Sequence, residues 1–160
     1  MLKKRLLIFI VAYHAEKTIQ SVLSRIPHSL MQSYDVEVLI IDDASKDATF
    51  KIGADSKAAL TLPFNVTVLQ NPVNQGYGGN QKIGYHYAIK FCFDYVALVH
   101  GDGQYAPECL PGLLAAFNDA QIKAVFGSRI LTRGQALKGG MPLYKYVGNK
   151  ILTTFENKLL

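Results

Sequence analysis

Asp42-Asp43-Ala44-Ser45-Lys46-Asp47 and His100-Gly101-Asp102-Gly103-Gln104-Tyr105 are the segments whose residue types and spacing could do chemistry. Adjacent carboxylates such as Asp42 and Asp43 accept hydrogen bonds from a base N–H and from ribose hydroxyls. The same pair is also explained if Asp43 caps the next helix and Asp42 is solvated. In the second segment the glycines allow close approach of backbone to a ligand. Asp102 and Gln104 add oxygen donors suited to a hard divalent cation. Such a cation neutralises the charge that grows on a departing diphosphate. A glycine-rich turn held by its own Asp accounts for these residues equally well.

Two further segments are weaker. Asn74-Gln75-Gly76-Tyr77-Gly78-Gly79-Asn80 invites comparison with a dinucleotide-binding glycine fingerprint. That fingerprint belongs after a first strand and needs a final glycine where Gln81 stands, so a flexible turn is the simpler account. Gly127-Ser128-Arg129 places an arginine after an apolar triplet, where a surface Arg is ordinarily solvated.

The elements that must position these clusters read as alternating strands and helices. Leu6–Val11 is a continuous apolar run of the kind covered on both faces of a parallel sheet. Ile19, Val22, Leu23, Ile26 and Leu30 recur at helical spacing, limited by Pro27. Val36–Ile41, Val66–Leu69, Tyr95–Val99 and Ala124–Phe126 are the later strands. Helices are expected from Ser45 as N-cap to about Leu60, from the glycine loop to about Lys90, and from Pro107 to about Asp119. This order implies an α/β fold, a Rossmann-like, mostly parallel sheet flanked by helices, with the polar clusters at the strand ends where such sheets bind ligands.

Bulk properties narrow the partners. The 160 residues suit one domain, and 49% hydrophobic with 18% charged residues excludes a disordered chain. A net charge of +5 suits anionic substrates or an acidic membrane surface. No dense basic stripe with interleaved aromatics argues for nucleic acid. Cys92 and Cys109 match no metal spacing and read as reduced thiols of a cytoplasmic protein. Lys3, Lys4 and Arg5 precede an apolar stretch too short for a signal peptide and without a cleavage site, so a first strand is expected. No stretch reaches the ~20 apolar residues of a spanning helix. Tyr144, Val147, Ile151, Phe155 and Leu159 form a one-sided helical stripe that is expected to need a partner.

Taken in order, the clusters resemble family 2 glycosyltransferases with the GT-A fold. Val11-Ala12-Tyr13-His14-Ala15-Glu16 is similar to the family's strand-one nucleotide segment, and Ile41-Asp42-Asp43-Ala44-Ser45 with Asp47 to its "DD-x-S-x-D" segment. Asn74, Gly76 and Gly78 match its "N-x-G-x-G" loop, and His100-Gly101-Asp102 sits where its D-x-D metal motif belongs. Gly127-Ser128-Arg129 followed by Lys138-Gly139-Gly140-Met141-Pro142 resembles the branch that loads mannose or glucose onto polyprenyl (dolichyl-type) phosphates.

The resemblance implies an inverting transfer of a hexose from a UDP- or GDP-linked sugar to a polyprenyl phosphate. It also implies a divalent metal (Mn²⁺ or Mg²⁺) and a cytoplasmic protein, peripheral to the membrane face at most. Val11, Tyr13, Ile41, Asp42, Asp43, Gly101, Asp102 and Arg129 would bind the nucleotide sugar. Asp102, Gln104 and His100 would hold metal, and Asp102 and Arg129 would carry catalysis. The sequence departs from the family where His100 replaces the first D-x-D carboxylate, and where Val11 and Ala15 replace the strand-one Pro and Glu. The expected division is a nucleotide-sugar domain over 1–141 and an amphipathic acceptor-side helix over 142–160. The alternatives are a chain that binds nucleotide sugar without turning it over, and a different nucleotide-using α/β enzyme such as a dehydrogenase. The missing fingerprint after strand one counts against the dehydrogenase.

Overall fold

The computed structural model describes residues 3–60, 62–128 and 142–159. The chain divides into two compact units, Met1–Asn118 and Asp119–Leu160. The boundary expected after residue 141 lies outside the described residues.

In the first unit β1 (Lys4–Ala12), β2 (Tyr34–Asp42), β3 (Asn65–Gln70) and β4 (Tyr95–His100) form a 4-stranded sheet in the order β3-β2-β1-β4. Every pairing is parallel, with Ala12 opposite Asp42 and Val11 opposite His100. β1 is central, and Leu6 to Ile10 are wholly removed from solvent. That is the expected fate of an unbroken apolar run between two neighbouring strands.

Side chains alternate along β1, so its apolar run feeds two cores. Leu6, Ile8 and Ile10 pack with Val22 and Leu23 of α1 (Ile19–Ser24) and with Leu110 and Leu114 of α5 (Leu110–Ala115). Ile52 of α3 (Thr49–Ala59) is packed against the same cluster. Leu7, Phe9 and Val11 pack instead with Leu39, Ile41 and Ala88, the last from α4 (Gly76–Lys90). Each such fully buried side chain contributes about 1.5–3 kcal/mol. Gly84 of α4 sits directly on the Phe9 ring, and a β-carbon there would overlap the ring.

Several expected elements differ in detail. The helix from Ile19 stops at Ser24, and a short helix α2 (Leu30–Ser33) follows. Pro27 supplies no N–H and disfavours helix in the residue before it. The helix expected from Pro107 is split into a 3-10 turn (Pro107–Cys109), α5 and a second 3-10 turn (Ala116–Asn118). Ser45 does not cap α3, which begins at Thr49 with Ala48 in the cap position. The capping oxygens are those of Glu16 and Asp47, which accept from the Ala48 and Thr49 amides at 3.1 Å each.

In the second unit the strand expected over Ala124–Phe126 is not formed. Residues 122–128 carry no regular structure, and Phe126 is exposed. A three-residue apolar run cannot hold a ladder without a partner. Leu143–Leu159 is a helix, and its stripe of Tyr144, Val147, Ile151, Phe155 and Leu159 is exposed. Among the described residues no helix is long and apolar enough to cross a membrane.

Candidate functional site

The strand order locates the site. From β1 through β2 to β3 the chain steps outward in one direction, then β4 returns to the other edge of β1. At such a reversal the connections leave on opposite faces and open a crevice at the strands' C-terminal ends. The crevice is a cleft of about 350 Å³. Val11 and Ala12 line it from the end of β1 with Tyr13 just after it, and His100 from the end of β4 with Gly101 and Asp102 just after it. Asp43 lines it after β2, while Asn74, Gly76, Tyr77 and Asn80 come from the glycine loop and the first turn of α4.

Strand alternation gives the adjacent aspartates opposite surroundings. Asp42 follows Ile40 onto the face of α1 and α3, whereas Asp43 follows Ile41 onto the face of α4. Asp42 is fully buried: its Oδ1 accepts from the hydroxyl of Ser45, and its Oδ2 accepts from Gln70 Nε2 at 2.9 Å. Asp43 is 4% exposed, and its Oδ1 accepts from Asn71 Nδ2 at 2.7 Å and from the Gln75 amide at 2.8 Å. It thereby holds the glycine loop. Its Oδ2 accepts no hydrogen bond from the described residues and stays available at the cleft.

The loop after β1, which carries Tyr13, is fastened to the loop after β2. The His14 amide donates to Ser45 Oγ at 2.9 Å, the Ala15 amide to Thr49 Oγ1 at 2.7 Å, and the Glu16 amide to Asp47 Oδ2 at 3.4 Å. Burial works to raise the pKa of Asp47, but hydrogen bonds from the Thr49 hydroxyl and amide and from the Glu16 amide outweigh it, and the carboxyl is held below its ordinary value. His14 and Ala44 have φ of 50° and 57°, the left-handed region that non-glycine residues rarely enter. The strained turns fall directly after the two strands that carry Tyr13 and Asp43. Ser45, Asp47 and Thr49 thus serve the cleft by holding its rim.

At the end of β4, the Gly101 amide donates to Val11 O at 2.9 Å. A β-carbon at Gly101 would lie 3.2 Å from that oxygen, so only glycine fits easily. His100 Nε2 is 2.9 Å from the Tyr77 hydroxyl, and its ring lies against Tyr77 and Tyr105, with centroids 5.2 and 4.6 Å away. Burial, then the neighbouring phenols Tyr105 and Tyr85, raise the Tyr77 pKa, so its hydroxyl stays protonated. Asp102 is exposed, and its Oδ1 accepts from the Gln104 amide at 3.0 Å.

Val11, Tyr13, Asp43, His100, Gly101 and Asp102 are therefore brought together from the residues singled out in the sequence. Asp42 is committed to internal bonds, and Ile41 is buried, its carbonyl accepting from Asn80 Nδ2 at 3.0 Å. Gln104 is exposed beside Asp102 without lining the cleft. Arg129 lies outside the described residues, as do Lys138, Gly139, Gly140 and Met141.

Sequence reasoning gave no role to Tyr77 or Asn80. Asn80 is 2% exposed, and its Oδ1 has no hydrogen-bond partner among the described residues. The signal for both is an aromatic and an amide inside a glycine-rich helix start, next to a strand-order reversal.

The residues present bear on the metal that the resemblance implies. Among the described residues no group of three or more His, Cys, Asp or Glu is gathered for a metal ion. Among the described residues the acidic side chains lining the cleft are Asp43 and Asp102 and no Lys or Arg lines it, so a diphosphate there would be helped by a cation beside it. Asp102 offers one carboxylate to such an ion, while His100 Nε2 is engaged by Tyr77. This donor set fits a cation shared with the ligand's own phosphate oxygens rather than one caged by protein.

A parallel sheet wound in this order, with a polar cleft at its reversal, is an α/β nucleotide-binding architecture of the GT-A type. Residues 7–157 match the model of glycosyl transferase family 2, and the chain belongs to that family. It is 29% identical to the UDP-N-acetylglucosamine–dolichyl-phosphate N-acetylglucosaminyltransferase of Methanococcus voltae, over 93% of this chain and 61% of that protein. It is 27% identical to the polyprenol monophosphomannose synthase of Mycolicibacterium smegmatis, over 98% of this chain and 56% of that one. It is 32% identical to the undecaprenyl-phosphate mannosyltransferase of Micrococcus luteus, over 82% of this chain and 51% of that one. The chain thus spans between half and two thirds of these relatives. The fold is shared with S. aureus TarS 1-349, solved also in complex with UDP-GlcNAc, at a TM-score of 0.53 and 23% identity over 72% of this chain and about a third of that one.

Proposed function

We propose that this chain forms the nucleotide-sugar half of an inverting glycosyltransferase that moves a hexose from a UDP- or GDP-linked donor to a polyprenyl phosphate. The observation that carries the reading is the cleft at the β1–β4 reversal, lined by Tyr13, Asp43 and Asp102 together. The named substrates of the M. voltae and M. luteus relatives support the donor and acceptor classes.

In this reading Tyr13 offers its ring to the base, and Asp43 Oδ2 accepts from a base N–H or a ribose hydroxyl. Gly101 lets backbone approach the diphosphate, and Asp102 would hold a divalent cation (Mn²⁺ or Mg²⁺). Arg129 contacts phosphate. When bound, the cation supplies charge neutralisation for the leaving nucleoside diphosphate. The acceptor phosphate is already anionic, so the site needs no strong general base. Its oxygen bonds the anomeric carbon from the face opposite the departing diphosphate, which takes the electron pair of the broken C–O bond, and the configuration inverts.

We further infer a cytoplasmic protein peripheral to the membrane that carries the acceptor. Lys145, Lys150 and Lys158 on the last helix accompany its exposed apolar stripe, which suits an anionic lipid surface. The test is calorimetry with UDP and GDP, with and without Mn²⁺, followed by transfer of labelled sugar to a polyprenyl phosphate. Binding with transfer is expected; binding without transfer leaves a nucleotide-sugar-binding chain only, and no binding of either nucleotide overturns the reading.

A further inference from the structure

Asp102 stands between two glycines, the residue type with the most backbone freedom. Left alone, the Gly101-Asp102-Gly103 turn would sample many directions for its carboxylate. Yet both flanking carbonyls are taken, and by residues of one short segment. Thr18, immediately before α1, donates its hydroxyl to Gly101 O at 2.6 Å. Arg25, immediately after α1, donates Nη1 to Gly103 O at 3.3 Å. Its remaining donors are aimed by Glu108, which accepts Nε at 2.6 Å and Nη2 at 2.9 Å in a two-pronged ion pair. Gly103 has φ of 73°, and a β-carbon there would reach Val22, Arg25 and Thr18, so the turn lies directly on α1.

The same anchor reaches the other end of the cleft. Thr18 Oγ1 is also 3.2 Å from Ala15 O, and the Ala15 amide is held by buried Thr49. The loop carrying Tyr13 and the turn carrying Asp102 are therefore tied to one hydroxyl.

We propose that Thr18 and Arg25, neither of which lines the cleft, are positioning residues that hold the Asp102 turn ready for the diphosphate end of the nucleotide. The proposal rests on the cleft's reading as a nucleotide-sugar site. A turn ordered before binding spares the ligand that ordering cost. A partly exposed ion pair adds little to global stability, so the main effect of this arrangement falls on binding.

The experiment measures, by calorimetry with Mn²⁺, the affinity of the full chain for UDP and GDP and for the phosphate-free nucleosides uridine and guanosine. Thr18→Val removes the hydroxyl at nearly constant shape, and Thr18→Ser keeps it. Arg25→Met provides a second, partly exposed site where folding is not at stake. Loss of one hydrogen bond should lower diphosphate affinity about fivefold to tenfold in Thr18→Val and Arg25→Met. Thr18→Ser should match wild type; nucleoside affinity should be unchanged in Arg25→Met, and in Thr18→Val, whose hydroxyl also reaches the Tyr13 loop, it should fall less than diphosphate affinity. Wild-type diphosphate affinity in Thr18→Val and Arg25→Met overturns the proposal, as does a parallel loss of nucleoside and diphosphate binding in Arg25→Met. Asp102→Ala separates the two levels. If it binds diphosphate like wild type, the reading of the cleft fails and the proposal with it; if it loses binding while Thr18→Val does not, only the positioning role fails.

Discussion

Replacing Asp43 with asparagine, and separately with alanine, distinguishes a ligand-binding carboxylate from a purely structural one. Asp43 Oδ1 accepts two bonds, at 2.7 and 2.8 Å, from a position only 4% exposed. Alanine strands both donors, each at about 1–3 kcal/mol, so Asp43→Ala should lose about 2–6 kcal/mol of stability. Asparagine keeps an acceptor at Oδ1 and changes two charge-assisted bonds into neutral ones, about 1 kcal/mol each, or about 2 kcal/mol in all. At the cleft the effect is reversed in weight. Asparagine puts an N–H donor where Oδ2 would accept from the nucleoside, and loss of a bond to a charged group costs about 1.5–3 kcal/mol. Nucleotide affinity should then fall roughly tenfold to a hundredfold. Urea unfolding gives the stabilities, and calorimetry with UDP and GDP well below the transition gives the affinities. An asparagine variant that is folded and binds both nucleotides like wild type would refute the ligand role and leave Asp43 as a clasp for the glycine loop.

Asp102→Ala should abolish any Mn²⁺-dependent gain in UDP or GDP affinity while melting near wild type, because the side chain is exposed; a retained gain in calorimetry removes the cation site. Gly84→Ala should destabilise the fold by about 1–3 kcal/mol, since the added methyl overlaps the Phe9 ring; an unchanged thermal midpoint contradicts that packing. Glu108 is held below the usual carboxylate range by the Arg25 hydrogen bonds. A depressed carboxyl stabilises the fold above its unfolded pKa and loses that contribution as pH falls through its folded value. The pair is partly exposed, so wild type should lose only a small increment of stability below about pH 4.3 that Glu108→Gln does not lose, and an acid limb of Tm steeper in Glu108→Gln than in wild type would count against the pair.

The apolar runs made β1 and β2 legible, because a strand buried on both faces has no use for polar residues. The alternation of strand and helix likewise made the parallel sheet legible. The order β3-β2-β1-β4 was not, since it depends on which edge of β1 receives β4. The cap of α3 was misread because Ser45 is spent on Asp42 and the His14 amide, a competition between distant loops that local propensity does not register. Ala124–Phe126 had strand-forming residues, but pairing depends on a neighbour rather than on the run itself. In the site, Tyr13, Asp43, His100, Gly101 and Asp102 were legible because they end strands at the sheet's polar rim. Of the adjacent aspartates, only strand alternation tells which one faces the cleft. Tyr77 and Asn80 act through the docking of a helix start against strand ends; their residue types in a glycine-rich helix start are visible in the sequence, but their approach to the strand ends is not.

The partnership of β1 with β4 bears on how the protein is made. β1 meets β2 about thirty residues later, Lys4 opposite Tyr34, but meets β4 only after about ninety, Leu6 opposite Tyr95. A growing chain can zip β1, β2 and β3 in sequence, yet one flank of its most apolar strand stays bare until β4 has been synthesised. Such a bare flank is a template for pairing with the wrong chain. Closing that long loop is also among the slower steps available to a nascent chain. Because β4 delivers His100, Gly101 and Asp102, the same event that covers the flank completes the cleft. Ligand capture during synthesis would thus report the moment at which the exposed flank disappears.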